Sequence, residues 1–286
     1  IMEKNFFLND ENYAKNFMHK ACVNAGEIHV NEDVKVSVNK ERRLDIMRNH
    51  TAAHLLQASL RKVLGDHVEQ AGQLVNEKHV RFDFTHFSAL TKEELTKVEN
   101  LVNKVILSGI TVESREMPIE VAKKLGAMAL FGEKYGNIVR VVTVADFSKE
   151  FCGGTHIDNT SKIGLFKIVS ETSVAAGVRR IEGVTGAGVL ELLNKNISEI
   201  NEAASVLKLN NTSELVQKAE QITAELKEKD KVIETLNSKL AGIQVESLIQ
   251  NAKEIKGVKF ITGLFSGTEP AALRAMCDKA RDFSPN

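Results

Sequence analysis

An α+β fold is predicted for most of this 286-residue chain on three observations. Apolar residues recur at helical spacing over residues 41–64, and they alternate in several short runs between residues 78 and 184. The two patterns also follow one another without the regular alternation that builds a parallel βαβ sheet. In order, residues 13–24 read as a helix, and Val34, Val36 and Val38 as an alternating strand. Over 41–64 the periodic positions are Leu44, Met47, His54 with Leu55, Ala58 and Val63, and Gly65 supplies the stop. Residues 78–84 alternate as a strand. Thr91 followed by Glu94 matches a capping box, which opens a helix through Leu95, Val98, Val102 and Ile106 to Gly109. Residues 112–117 read as extended, and Pro118 then opens a short helix over 119–125, because proline is tolerated at a first helical position. Strands follow at 137–144, 165–171 and 178–184.

Beyond residue 190 the pattern changes. Leu215, Ala219, Ile222, Leu226, Lys229, Ile233, Leu236, Leu240 and Ile243 are spaced by alternating fours and threes, a heptad seam containing one lysine. Asn211 with Glu214 gives a capping signal in front of it, and Ala203 and Leu207 on an earlier helix are placed to pair with it as a hairpin. The expectation is a coiled-coil-like arm; an ordinary amphipathic helix on a globular core is the alternative. Residues 258–264 then read as a strand, Gly267 as a turn, and 269–281 as a helix opened by Pro270, the beginning of a further domain.

Composition narrows the function classes. Lys+Arg and Asp+Glu balance at 38 each, which argues against a strongly basic fold that coats nucleic acid. Three cysteines (Cys22, Cys152, Cys277) are too few for a disulfide framework and fit a reducing, cytoplasmic compartment. No apolar run approaches the ~18 residues of a membrane span, so no membrane partner is expected. The start at Ile1 before Met2 reads as a fragment of a longer chain.

Two short motifs concentrate the chemistry. His50-Thr-Ala-Ala-His54 places two imidazoles one helical turn apart on one face, close enough to share a metal ion, although such a pair alone also arises from packing. Cys152-Gly-Gly-Thr-His156 brings a thiolate and an imidazole together across two glycines, whose backbone can turn tightly and approach an ion closely. Together they form a Cys-His₃ set, which suits zinc, since Mg²⁺ or Ca²⁺ would want oxygen ligands. The bland alternative is a buried thiol and a loop histidine. Arg42, Arg43 and Arg48 precede the metal pair, and Arg179-Arg180 lie in an otherwise apolar strand, where adjacent side chains point to opposite faces; phosphate contact and a solvated face are the two readings for them.

HTAAHLLQASLRKVLG, EQAGQLVNEKHVRFDF, GAMALFGEKYG, FCGGTH and AAGVRRIEGVTG resemble, in order and spacing, the editing domain of alanyl-tRNA synthetases over about residues 40–190. Related pieces occur in free-standing alanyl-tRNA editing proteins and in threonyl-tRNA synthetases. The resemblance implies a division into 1–39 as the end of a preceding middle region, 40–190 as a two-layer editing domain, 191–256 as a helical arm, and 257–286 as the start of the C-terminal tRNA-binding region, which also mediates homodimer contacts. The class II aminoacylation motifs have no candidate here, and in the family that domain lies earlier in the chain. Position by position, His50, His54, Cys152 and His156 match the family's zinc ligands, and Gln70 falls on its editing glutamine; by itself Gln70 also reads as a plain surface amide. The family often has threonine immediately before the second histidine, where this chain has Ala53, with its hydroxyl at Thr51 instead.

The implied reaction is hydrolysis of the ester joining serine or glycine to the acceptor end of tRNA(Ala). An alanine pocket excludes glycine poorly, since one methyl is worth only ~1–3 kcal/mol, and a small added hydroxyl is also hard to reject. A second site that hydrogen-bonds the serine hydroxyl chooses the other way. Gln70 and Thr51 are the candidates to read that hydroxyl, and with four protein ligands zinc is expected to position the substrate while a nearby water attacks. The alternatives are a tRNA-binding and dimerisation module with a structural zinc, and a free-standing editing protein. No DNA partner is expected.

Overall fold

The computed structural model describes residues 5–6, 19–20, 25–27, 29–35, 37–129, 135–265 and 270–283. It is α+β, and it divides into two compact units, Ile1–Glu191 and Leu192–Asn286.

In the first unit, β1 (Asn5–Phe6) and β2 (His19–Lys20) form a two-residue antiparallel pair. The helix expected over 13–24 therefore does not run through His19 and Lys20, and the rest of that stretch up to Asn24 lies outside the described residues. The expected strand at Val34, Val36 and Val38 is also absent where it can be read. Val34 and Val38 are 62% and 47% exposed with no ladder partner, and Val36 lies outside the described residues. Alternating valines do not make a strand without an apolar face to cover.

α1 (Lys40–Leu64) is the spine. Asn39 caps it by accepting from the Arg42 N–H, and it stops at Gly65, whose φ of 118° lies where side chains are disfavoured. Every residue from Thr51 to Leu60 is buried, because other elements cover the helix on more than one side. A four-stranded antiparallel sheet has the order β3-β4-β9-β8, made of β3 (Gln70–Val75), β4 (Val80–Thr85), β8 (Phe166–Ala175) and β9 (Val178–Thr185). Val80, Phe82 and Phe84 alternate inward from β4 and are at most 1% exposed, forming the core with Leu55, Leu56, Leu60, Phe166 and Ile181. α2 (Lys92–Leu107) also packs on α1 and buries Val98, Val102, Val105 and Ile106. The expected capping box is formed, with Thr91 and Glu94 exchanging side-chain and backbone hydrogen bonds.

A second, three-stranded antiparallel sheet has the order β5-β6-β7, from β5 (Val112–Pro118), β6 (Ile138–Val144) and β7 (Ser148–Phe151). The short helix α3 (Ile119–Lys124) covers it, and Ala122, Val139, Val141 and Phe151 make a small core of their own. The opposite side of β7 meets α1. That contact positions the chemistry.

α4 (Ala187–Val206) leads into the second unit. There Asn211 caps a single 3-10 turn, and α5 (Leu215–Gln250) follows as a 36-residue helix. β10 (Lys253–Ile255) and β11 (Val258–Phe260) pair through Lys256 and Gly257, both at positive φ as a two-residue hairpin turn requires. α6 (Pro270–Phe283) packs against α5, with Val245 and Met276 buried. The seam positions Leu226, Ile233, Leu236, Leu240 and Ile243 are all more than half exposed. Gly267 lies outside the described residues.

Candidate metal centre

α1 presents His50 and His54 toward β7, and the chain leaving β7 presents Cys152 and His156 toward α1. The four ligand atoms lie within 4.8 Å of one another, although the two motifs are about a hundred residues apart in sequence. Cys152 Sγ is 3.5 Å from His50 Nε2 and 3.2 Å from His156 Nε2. For a tetrahedral zinc with bonds of ~2.3 Å to sulfur and ~2.0 Å to nitrogen, ligand atoms sit about 3.5 Å apart, which the two distances from Cys152 match. The three imidazole centroids are 4.2–5.3 Å apart. Burial disfavours their charged forms: His50 is lowered to about 4 and His54 to about 3, and His156 falls further, with Arg140 and the neighbouring histidines adding to the effect. Neutral imidazoles with free lone pairs are what a metal ion needs.

The loop is built to reach the helix. A Cβ on Gly154 would fall at 2.5 Å from His50 Nδ1 and still closer to Cε1, so glycine is required there by close approach. Gly153 has nothing within 4 Å of such a position and carries no such constraint. The carbonyls of Gly153 and Gly154 both accept from Arg140 on β6, at 3.0 and 2.7 Å, and Arg140 also donates to Ser114 Oγ. Arg140 therefore ties the ligand loop to the second sheet.

Thr51 is fully buried, and its hydroxyl meets His156 Nδ1 at 3.1 Å and accepts from the Ile157 N–H at 3.3 Å. The structure thus engages it in holding a histidine of the cluster. Gln70 is half-buried at the start of β3 opposite Phe84, at the end of the strand remote from Asn76, whose carbonyl accepts from Asn49 beside His50. Arg179 and Arg180 each find a carboxylate within the four-stranded sheet, Glu171 and Asp83 respectively, and Arg180 binds both oxygens of Asp83 at 2.7 Å. Both arginines are raised by these hydrogen bonds. Sequence reasoning missed Arg140 and also Glu150, a 5%-exposed carboxyl on β7 that burial pushes up to about 8. The only signal for either was a charged residue among valines in a strand, or one two places before a ligand cysteine.

The β6–β9 part of this α+β unit, which includes Cys152 and His156, has relatives of known family. Residues 139–182 match the family described as the threonyl and alanyl tRNA synthetase second additional domain. The chain is 46% identical over 265 residues to the alanine–tRNA ligase of Desulforamulus reducens. It is 48% identical over 265 residues to that of Fervidobacterium nodosum, and 47% over 266 to that of Acetivibrio thermocellus. Each match covers 93% of this chain but only 30% of the relative, so the chain spans less than a third of the length of these ligases. The chain is thus similar over most of its length to a segment of alanine–tRNA ligases, and residues 139–182 carry the pattern of the second additional domain. No helix among the described residues is long and apolar enough to cross a membrane.

Proposed function

We propose that residues 40–190 form an aminoacyl-tRNA deacylase that hydrolyses serine or glycine esters at the acceptor end of tRNA(Ala), as the editing part of a cytoplasmic alanine–tRNA ligase. The observation that carries this reading is the convergence of His50, His54, Cys152 and His156 within 4.8 Å of one another, in a chain similar to a segment of alanine–tRNA ligases. The Cys-His₃ donor set suits zinc, which when bound would supply positive charge to position the aminoacyl ester. Arg140 holds the ligand loop in reach of α1, and Thr51 holds the His156 ring. Burial of the ligands keeps bulk water from competing for the ester and strengthens every polar contact made there. Gln70 is assigned the serine hydroxyl, because Thr51 is already occupied and an amide offers both donor and acceptor.

In this reading residues 1–39 end a preceding middle region, 191–256 are the helical arm, and 257–286 open a C-terminal tRNA-binding region. The exposed seam of α5 supports a coiled-coil partner, in a homodimer formed through this part of the chain. Arg179 and Arg180 would meet tRNA phosphates only while sharing their charge with Glu171 and Asp83. One observation favours a second reading, a tRNA-binding module with structural zinc: four protein donors fill a tetrahedral shell, as in closed structural sites. Incubating the chain with serine-charged tRNA(Ala), with and without chelator, separates the two. Metal-dependent release of serine, with alanine-charged tRNA spared, is the expected result; binding of tRNA without release would establish the second reading.

A further inference from the structure

The three imidazoles of the cluster are held in different ways. His50 is engaged by the backbone of Thr155, and His156 Nδ1 meets the Thr51 hydroxyl at 3.1 Å. His54 Nδ1 is buried and makes no hydrogen bond of normal geometry; the group it faces is Glu150, with Oε2 at 3.4 Å. Glu150 is itself buried, and its other oxygen, Oε1, accepts from Ser148 Oγ at 2.9 Å. Ser148 and Glu150 alternate on β7, so its pleat sends both to one face, the one that meets α1, and Cys152 follows just beyond the strand's end.

A carboxyl in such a place is costly. It contributes no apolar contact to the core, and a single hydrogen bond from Ser148 does not offset the desolvation of a carboxylate. One oxygen is tied by the serine and the other is aimed at a buried ring nitrogen of the cluster that makes no hydrogen bond. We propose that Glu150 is the positioning residue of His54: Oε2 accepts the Nδ1 proton, fixing the tautomer that leaves the Nε2 lone pair free for a metal ion, and Ser148 fixes the carboxyl. This inference rests on the metal reading above. β7 then serves the site twice, by leading directly to the Cys152 ligand and by aiming His54 across from α1. A divalent ion with one thiolate ligand would also leave a positive charge in a buried place, and a carboxylate one bond further out balances it.

The test is zinc affinity, measured by competition with a chromogenic chelator, for the whole chain and for Glu150→Leu, Glu150→Gln and Ser148→Ala. Loss of a partner that orients a ligand histidine weakens metal binding by ~10–100-fold. Glu150→Leu should show that loss. Glu150→Gln, which keeps an acceptor oxygen, should recover most of the affinity, and Ser148→Ala should fall between the two. Melting of the metal-free variants in chelator shows whether Glu150→Leu folds; where it does not, the ring ¹⁵N shifts of zinc-loaded wild type decide, and a His54 Nδ1 that carries no proton overturns the proposal. Wild-type affinity in a folded Glu150→Leu variant overturns it as well, as does a Glu150→Gln variant as weak as Glu150→Leu. Failure of the unmodified chain to bind zinc is a distinct result, which removes the metal reading and this inference with it.

Discussion

Gly154→Ala adds one methyl group and should dismantle the metal centre. The new Cβ would lie 2.5 Å from His50 Nδ1, about 1 Å inside an ordinary carbon contact of ~3.5 Å. Gly154 is not among the glycines at positive φ, so the backbone itself tolerates alanine and the whole cost is this collision. The loop cannot retreat easily, because Arg140 grips the carbonyls of both Gly153 and Gly154. The His50 ring must therefore move by about 1 Å, whereas a ligand atom has only ~0.2 Å of latitude in its distance to a metal. Losing that ligand should cost at least ~100-fold in zinc affinity, about 2.8 kcal/mol at 1.4 kcal/mol per tenfold change. Chelator competition measures this directly, with Gly153→Ala as the matched control, since its added methyl meets nothing within 4 Å. A Gly154→Ala protein that binds zinc as tightly as the Gly153→Ala protein would refute the reasoning, because the close approach of loop and helix is then not what fixes His50.

The remaining predictions concern acid stability, the arm and the reading of substrate. In metal-free protein, His50 at about 4 and His54 at about 3 bind fewer protons folded than at their ordinary 6.5, so their stabilisation is full above pH 6.5 and is lost as pH falls toward 4. Glu150, raised from 4.5 to about 8, acts in the opposite sense: its share is full below pH 4.5 and is lost as pH rises toward 8. Melting in chelator should therefore peak between these effects, near neutral pH, and a monotonic rise from pH 4 to 9 would contradict the burial of the cluster. Leu226→Asp should weaken self-association in sedimentation while leaving zinc content and serine release unchanged, because Leu226 is 57% exposed and belongs to the second unit. Thr51→Val should lower zinc affinity by releasing His156, whereas Gln70→Ala should keep the zinc and lose serine release by roughly one hydrogen bond, ~0.5–1.5 kcal/mol. A Thr51→Val protein with full zinc but no discrimination of serine from alanine would return the reading role to the helix.

The four donors were legible in the sequence because their chemistry is scarce and local: two histidines one turn apart on a helix, and a cysteine and histidine flanking two glycines. The groups that aim those donors are ordinary residues whose role arises only on packing. Thr51 reads as a candidate for the serine hydroxyl, whereas its contact with His156, 105 residues away, arises only on folding. Arg180 read as a cation seeking phosphate, and its acceptor, Asp83, lies 97 residues distant on the neighbouring strand. The same division governs the fold. α1, α2 and their caps follow from periodicity and local hydrogen bonds, whereas β3 and β7 escaped detection, since Gln70–Val75 contains a glycine and two glutamines and Ser148–Phe151 alternates polar side chains inward. In β7 that inverted pattern is itself the functional feature. A strand whose inward face carries a serine and a carboxyl, and which runs directly into a cysteine, is burying polar groups that a core-forming strand would exclude, and that carboxyl, held by the serine, meets His54 on the facing helix.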